Sequence, residues 1–145
     1  MPAAYDSERR ARLRVDQLIE LFNLGRYADT FAGELSTGSR RVVDLACVVA
    51  HQPKIVLLDE PSTGIAQREA EALAGLLLRV RDDLGASLLV IEHDMALLTA
   101  IADRLVAMDA GQVVAVGEPD EVLADPAVVA SYLGTDAAVI GRSGH

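Results

Sequence analysis

Two acids, Asp59 and Glu60, stand side by side directly after the apolar run Ile55-Val56-Leu57-Leu58. A pair of carboxylates at the end of a buried strand is costly unless it holds a metal or moves protons. One carboxylate acting through water suits Mg²⁺, which keeps most of its waters and contacts few protein groups. Its neighbour then has the reach to orient or deprotonate an attacking water. The same two acids also suit a plain strand-to-loop turn in which they cap the next helix. A second polar cluster, Glu92-His93-Asp94, ends the run Leu88-Leu89-Val90-Ile91. His93 belongs to the one residue type whose charge ordinarily changes near neutral pH, although a lone histidine is more often structural. Leu35-Ser36-Thr37-Gly38-Ser39 is small and polar and opens a helical pattern. Free N–H groups at a helix N-terminus attract phosphate. Ordinary capping by Ser36 or Thr37 accounts for the same residues without a ligand.

Lysine usage narrows the chemistry. Lys54 is the only lysine among 13 basic residues; the others are arginines. A phosphate-binding loop of the form G-x-x-x-x-G-K-[ST] needs Gly immediately before its Lys. Here Pro53 precedes Lys54 and Ile55 follows it, so the chain contains no such loop. A phosphoacceptor Asp of a receiver domain would need a Lys at a late strand end. Lys54 precedes the Asp59 strand, and that reading is rejected.

Strands and helices in alternation must position these groups. From Ser7 to Phe22, Ala11, Val15, Leu18, Ile19 and Phe22 recur at helical spacing, with arginines between them. Gly25 ends that helix, and Tyr27 to Phe31 form a short helix or turn. A second helix carries Val42, Leu45, Ala46, Val49 and Ala50, His51 ends it, and Gln52-Pro53 stops the chain there. Ile55 to Leu58 reads as a strand buried on both faces. A long helix runs from about Gln67 to Leu84 and closes at Gly85. Leu88 to Ile91 is another buried strand, followed by a helix from Met95 to Ala102. Leu105 to Met108 and Val113 to Val116 form a hairpin at a sheet edge, turned by Asp109-Ala110-Gly111. Short helices from Asp120 to Ala124 and Pro126 to Tyr132 follow, and Thr135 to His145 is a polar tail. The order implies an α/β fold with a mostly parallel sheet and flanking helices. Ligands in such sheets bind at the carboxyl ends of the strands, where both acidic clusters lie.

Composition excludes several classes. The 145 residues are 51% hydrophobic and 24% charged, enough for a core. Aromatics are 3% with no Trp, which argues against a stacking platform for single-stranded nucleic acid. A net charge of −9 repels phosphate backbones. Cys47 is the only cysteine, so no intrachain disulfide forms and a reducing compartment is the simple reading. It reads as a small buried hydrophobe. No apolar run reaches the ~18 residues of a membrane span; Val42 to Ala50 comes nearest and is interrupted by Asp44. The N-terminal arginines have no apolar run behind them, so they do not form a secretory signal. Arg40 and Arg41 read as a solvated helix face.

Taken together, Leu35-Ser36-Thr37-Gly38-Ser39, the helix after it, Ile55 to Pro61, Ser62-Thr63-Gly64-Ile65 and Ile91-Glu92-His93-Asp94 resemble the C-terminal half of an ABC-transporter ATP-binding domain. The resemblance spans nearly the whole chain. Asp125-Pro126 to Tyr132-Leu133-Gly134 is similar to the subgroup that energises branched-chain amino-acid importers. The resemblance implies a partial P-loop-NTPase-type sheet with a segment of helical subdomain. It divides the chain into residues 1–52 (helical subdomain segment with the signature-like loop), 53–118 (α/β core), 119–134 (C-terminal helices) and 135–145 (flexible tail).

The resemblance also implies roles. Asp59 would hold Mg²⁺ through water. Glu60 would be the catalytic base and His93 would contact the γ-phosphate. Ser36, Thr37, Gly38 and Ser39 would clasp ATP bound to a second ATP-binding domain in a two-fold dimer. Ser62, Thr63 and Gly64, in the segment to Ala66, would be the D-loop at the dimer seam. Transmembrane subunits would hold the protein at the cytoplasmic face of the plasma membrane. Neither nucleic acid nor a disulfide partner is implied. Thr37 and Ser39 depart from the usual L-S-G-G-Q, and Ala66 stands where an Asp is usual. The family's Walker A, adenine-stacking aromatic and Q-loop lie upstream of the matching region, so the chain reads as a fragment or half of a split domain, inactive alone. Three functions fit: an ATPase half-domain of a transporter, a non-catalytic fragment that pairs with a complete nucleotide-binding domain, and a non-transport ABC ATPase. The acidic surface counts against the last.

Overall fold

The structure, a computed structural model, describes residues 2–132, with side chains from residue 7 onward. The expected tail from Thr135 lies outside the described residues. The chain divides into two compact units, Met1–Leu97 and Leu98–His145.

The first unit opens with α1 (Pro2–Leu21), which is longer than its apolar spacing implies. Leu18, near its C-terminal end, and Phe22, just after it, are buried, while Leu13 and Val15 are exposed. Of the short helix or turn expected from Tyr27 to Phe31, the structure shows a turn, flanked by single 3₁₀ turns at Gly25–Tyr27 and Ala32–Glu34. Helix α2 (Thr37–Ala50) buries Leu45, Ala46 and Val49, and His51 is its C-cap. Strand β1 (Ile55–Asp59) leads through a loop to α3 (Gln67–Leu84). Six residues of α3, from Ala70 to Val80, are buried; Leu77 and Val80 have no exposed surface. Gly85 caps α3 at φ 64°, a left-handed conformation that glycine adopts without steric cost. Strand β2 (Ser87–Ile91) follows, and α4 (Met95–Ile101) crosses the boundary between the units.

β1 and β2 pair in parallel, with Leu57 opposite Leu89 and Asp59 opposite Ile91. A β1–α3–β2 crossover between parallel strands is the elementary unit of α/β sheets. The two strands are not buried on both faces as their apolar runs imply. Val56 is 2% exposed, but Ile55, Leu57, Leu89 and Ile91 on the opposite face are 60–71% exposed. The helices of this unit cover one face only.

The second unit holds an antiparallel pair, β3 (Leu105–Asp109) and β4 (Gln112–Gly117). Ala110 at φ 45° and Gly111 at φ 79° make the two-residue turn, as the twist of a tight hairpin requires. The hairpin is a two-stranded sheet of its own. Helix α5 (Pro119–Ala124) starts with Pro at its first position and buries Val122 against both strands. Residues 126–132 are helical, and the Asp125 carboxylate caps them by accepting from Ala127 N–H at 2.8 Å.

Candidate functional site

The parallel register sends the chain out of β1 and β2 at the same end, which brings the two acidic clusters together. Glu60 sits at φ 44°, a conformation that costs a non-glycine residue about 1–2 kcal/mol. Its neighbours hold it there. Its N–H donates to Ile91 C=O at 2.8 Å and its own C=O accepts from Thr63 N–H at 3.1 Å. The Arg41 guanidinium, from α2, donates to the carbonyls of Glu60 (3.0 Å) and Pro61. At the side chain, Glu60 Oε2 accepts from the Thr63 hydroxyl at 2.9 Å. Glu60 Oε1 lies 3.9 Å from His93 Nδ1, and both side chains are more than half exposed. That separation is too long for a direct hydrogen bond and suits a bridging water or ligand oxygen. Asp59 is exposed at the end of β1, on the face that carries Ile55 and Leu57.

The three residues of the second cluster have three different environments. His93 is open to solvent. The Asp94 carboxylate accepts Leu97 N–H at 3.1 Å and so caps α4. The Glu92 side chain has 0% exposure. Its Oε1 accepts from Ser62 N–H at 2.6 Å, and its Oε2 from His93 N–H at 3.0 Å and Asp94 N–H at 3.3 Å. Burial alone would push this carboxyl up; the Ser62 hydroxyl and the N–H groups of Ser62, Asp94 and His93 outweigh it and hold it below the ordinary range.

Ser36 caps α2: its hydroxyl oxygen accepts from Ser39 N–H at 3.1 Å. It also donates to the Ser39 hydroxyl oxygen at 3.1 Å, and Ser39 donates to the Tyr27 hydroxyl at 3.0 Å. Thr37, Gly38 and Ser39 therefore form the first helical turn, not a loop. Gly38 is buried, and a Cβ there would stand 2.6 Å from Glu69 Oε1. Glu69 Oε2 accepts from Ala66 N–H at 3.1 Å. This is half of a capping box, because Ala66 has no side-chain acceptor to return the bond.

The structure thus gathers Glu60, Ser62, Thr63 and His93 into one cluster, with Gly64 at φ 77° turning the loop behind them. Ser36 to Ser39 form another cluster against Tyr27 and Glu69, and α2 joins the two through Arg41. Arg41 is not a solvated face: it is half-buried and grips backbone carbonyls. Arg40 reaches Leu35 C=O at 3.3 Å. Cys47 is exposed, not buried, because this part of α2 turns Leu45, Ala46 and Val49 inward instead. Sequence reasoning missed Arg41 as part of the site, and it marked Glu92 within the second cluster without giving it a role, since nothing local shows which backbone groups either would hold. Among the described residues, no three His, Cys, Asp or Glu side chains are placed to hold a metal between them. A cation held by one carboxylate and its own waters fits that donor set.

Comparison with known proteins decides what this arrangement belongs to. Residues 4–63 match the ABC transporter family profile, and residues 112–138 match the profile of the branched-chain amino acid ATP-binding cassette transporter. Over these regions the chain is similar to the ATP-binding proteins of ABC transporters. It is 35% identical over 133 residues to the high-affinity branched-chain amino acid transport ATP-binding protein BraF of Pseudomonas aeruginosa, covering 92% of this chain and 52% of BraF. It is 37% identical over 129 residues to the sulfate/thiosulfate import ATP-binding protein CysA of Methylococcus capsulatus, covering 88% of this chain and 37% of CysA. Among solved cassettes, MJ1267 in its ADP conformation superposes with a TM-score of 0.74 at 33% identity, covering 81% of this chain and 48% of MJ1267. CbiO1 of Clostridium perfringens gives 0.76 at 27% identity, covering 93% and 53%. The chain therefore spans about half the length of the curated cassettes it matches. Its α/β architecture is that of the ABC cassette fold.

Proposed function

We propose that the chain supplies the hydrolytic half of an ATP-binding cassette that energises a membrane importer. The observation that carries this reading is Glu60. A residue held at positive φ by Ile91, Thr63 and Arg41, with its carboxylate opposite His93, has the features of a strained functional residue. A plain turn would place Gly or Asn there at lower cost.

In this reading Asp59 holds Mg²⁺ through water. The ion, when bound, neutralises charge on the phosphate oxygens. Glu60 accepts a hydrogen bond from the attacking water and draws its proton away. His93 donates a hydrogen bond to the γ-phosphate of ATP. Positioning and charge stabilisation of this kind dominate phosphoryl transfer. Ser36, Thr37, Gly38 and Ser39 present the N-terminus of α2 to the nucleotide of a second cassette in a two-fold pair, and Ser62, Thr63 and Gly64 lie at the seam. The names of the relatives favour branched-chain amino acids as cargo. Transmembrane subunits are the remaining partners, which places the protein at the cytoplasmic membrane face. No helix among the described residues is long and apolar enough to cross a membrane.

Completion by a Walker A half separates this reading from that of a non-catalytic pairing fragment, because the chain itself has no Gly-Lys phosphate loop. The chain alone is expected to bind Mg-ATP weakly at best and to show no turnover. Completed by a polypeptide that carries the Walker A half, it is expected to hydrolyse ATP. Calorimetry and a phosphate-release assay check both statements. Tight stoichiometric binding by the chain alone, or no hydrolysis by the completed cassette, overturns the reading.

A further inference from the structure

The proposed chemistry does not use Glu92, yet backbone N–H groups hold both of its carboxylate oxygens. Its side chain is fully buried, beside a His93 side chain that is 67% exposed. Its two oxygens accept three backbone N–H groups from two segments 30 residues apart in sequence, Ser62 on one side and His93 and Asp94 on the other. The bonds to His93 and Asp94 are local and would suffice for a turn. The bond to Ser62 is not local. At 2.6 Å it is the shortest of the three, and its acceptor is a carboxylate.

We propose that Glu92 is a positioning residue: its buried carboxylate ties the loop after β1 to the loop after β2 and so sets His93 against Glu60. The inference rests on the reading of Glu60 and His93 as the hydrolytic pair. Ser62 follows Glu60 by two residues, and His93 follows Glu92 directly. With Ser62 tied to one carboxylate oxygen and His93 N–H to the other, a shift of the Ser62 loop reaches His93 through a single side chain. Arg41 holds the same loop from its carbonyl side, so Glu60, Pro61 and Ser62 are fixed from both α2 and β2. A neutral amide cannot replace the carboxylate. One end of Gln would still accept, but the other would turn N–H groups toward N–H donors.

The test has two arms. In the chain as it stands, hydrogen exchange followed by NMR reads the Ser62 amide. It is expected to be protected in the wild type. In Glu92→Gln it should exchange about ten-fold faster or more, with Leu77 and Val80 in α3 unchanged. A Ser62 amide that exchanges freely in the wild type overturns the proposal, and this holds even where the variant does not fold. Unchanged protection in a folded Glu92→Gln overturns it too. In the cassette completed with a Walker A half, Glu92→Gln should lower kcat about ten-fold or more and leave the KM for ATP unchanged, which a general loss of folded protein would not do. Wild-type kcat in that variant sinks the positioning role. A completed wild-type cassette with no turnover counts against the ATPase reading, and the exchange arm then decides the inference about Glu92.

Discussion

Glu60→Gln in a completed cassette should abolish turnover while ATP still binds. The amide preserves the shape of the side chain and can still accept from the Thr63 hydroxyl, which now lies 2.9 Å from Glu60 Oε2. It cannot take up a proton. General-base contributions of this kind are worth about 10²–10⁴-fold in rate. Steady-state phosphate release should therefore fall by about that factor, and a nucleotide-binding titration should move by less than about three-fold. Substrate affinity is expected to survive because the phosphate-holding groups are not altered. Wild-type turnover in Glu60→Gln would take Glu60 out of the mechanism and leave its positive φ as a feature of the turn alone.

The second large effect belongs to the uncovered sheet face. Leu57 and Leu89 are partners in the β1–β2 register and are 71% and 60% exposed. The cassettes that this chain resembles are about twice its length. The polypeptide that completes the cassette is the natural cover for this face. Full burial of a leucine contributes about 1.5–3 kcal/mol. Leu57→Asp combined with Leu89→Asp should therefore weaken association with the completing half by about 10²–10⁴-fold. The isolated chain should keep its unfolding midpoint, because neither leucine is in its own core. Two-component binding measured by interferometry, alongside chemical denaturation of the chain alone, checks both. Undiminished association would mean that another surface is used.

The order of elements was legible because apolar runs, Gly85 and Gln52-Pro53 punctuate the chain. The proximity of Glu60 and His93 followed from parallel pairing, since both leave strands at the same end. What could not be read was which faces would be covered. Ile55-Val56-Leu57-Leu58 is apolar whether its second cover comes from this chain or from another, and a run of letters does not say which. The same limit applies to α2, where Cys47 faces outward although its neighbours are apolar. The roles of Arg41 and Glu92 escaped for a different reason. Each acts by gripping backbone atoms of a segment 19 to 30 residues away, and backbone carbonyls and N–H groups carry no sequence signal. The resemblance of Ser36 to Ser39 to a signature loop correctly marked a helix start, but it gave no hint that Glu69 would lie against Gly38.

Glu60 also implies a trade between durability and activity. Its left-handed backbone costs about 1–2 kcal/mol relative to glycine at the same position. Glu60→Gly should therefore make the chain harder to unfold, less the small loss of the Thr63 contact and the greater freedom of glycine in the unfolded state. Glu60→Gln, which retains the strain, should not. If the two variants diverge in denaturant, the carboxylate sits at the cluster in spite of the fold's own preference. A lineage released from the need to hydrolyse would then be free to drift toward Gly or Asn at residue 60 and gain resistance to unfolding as it did so.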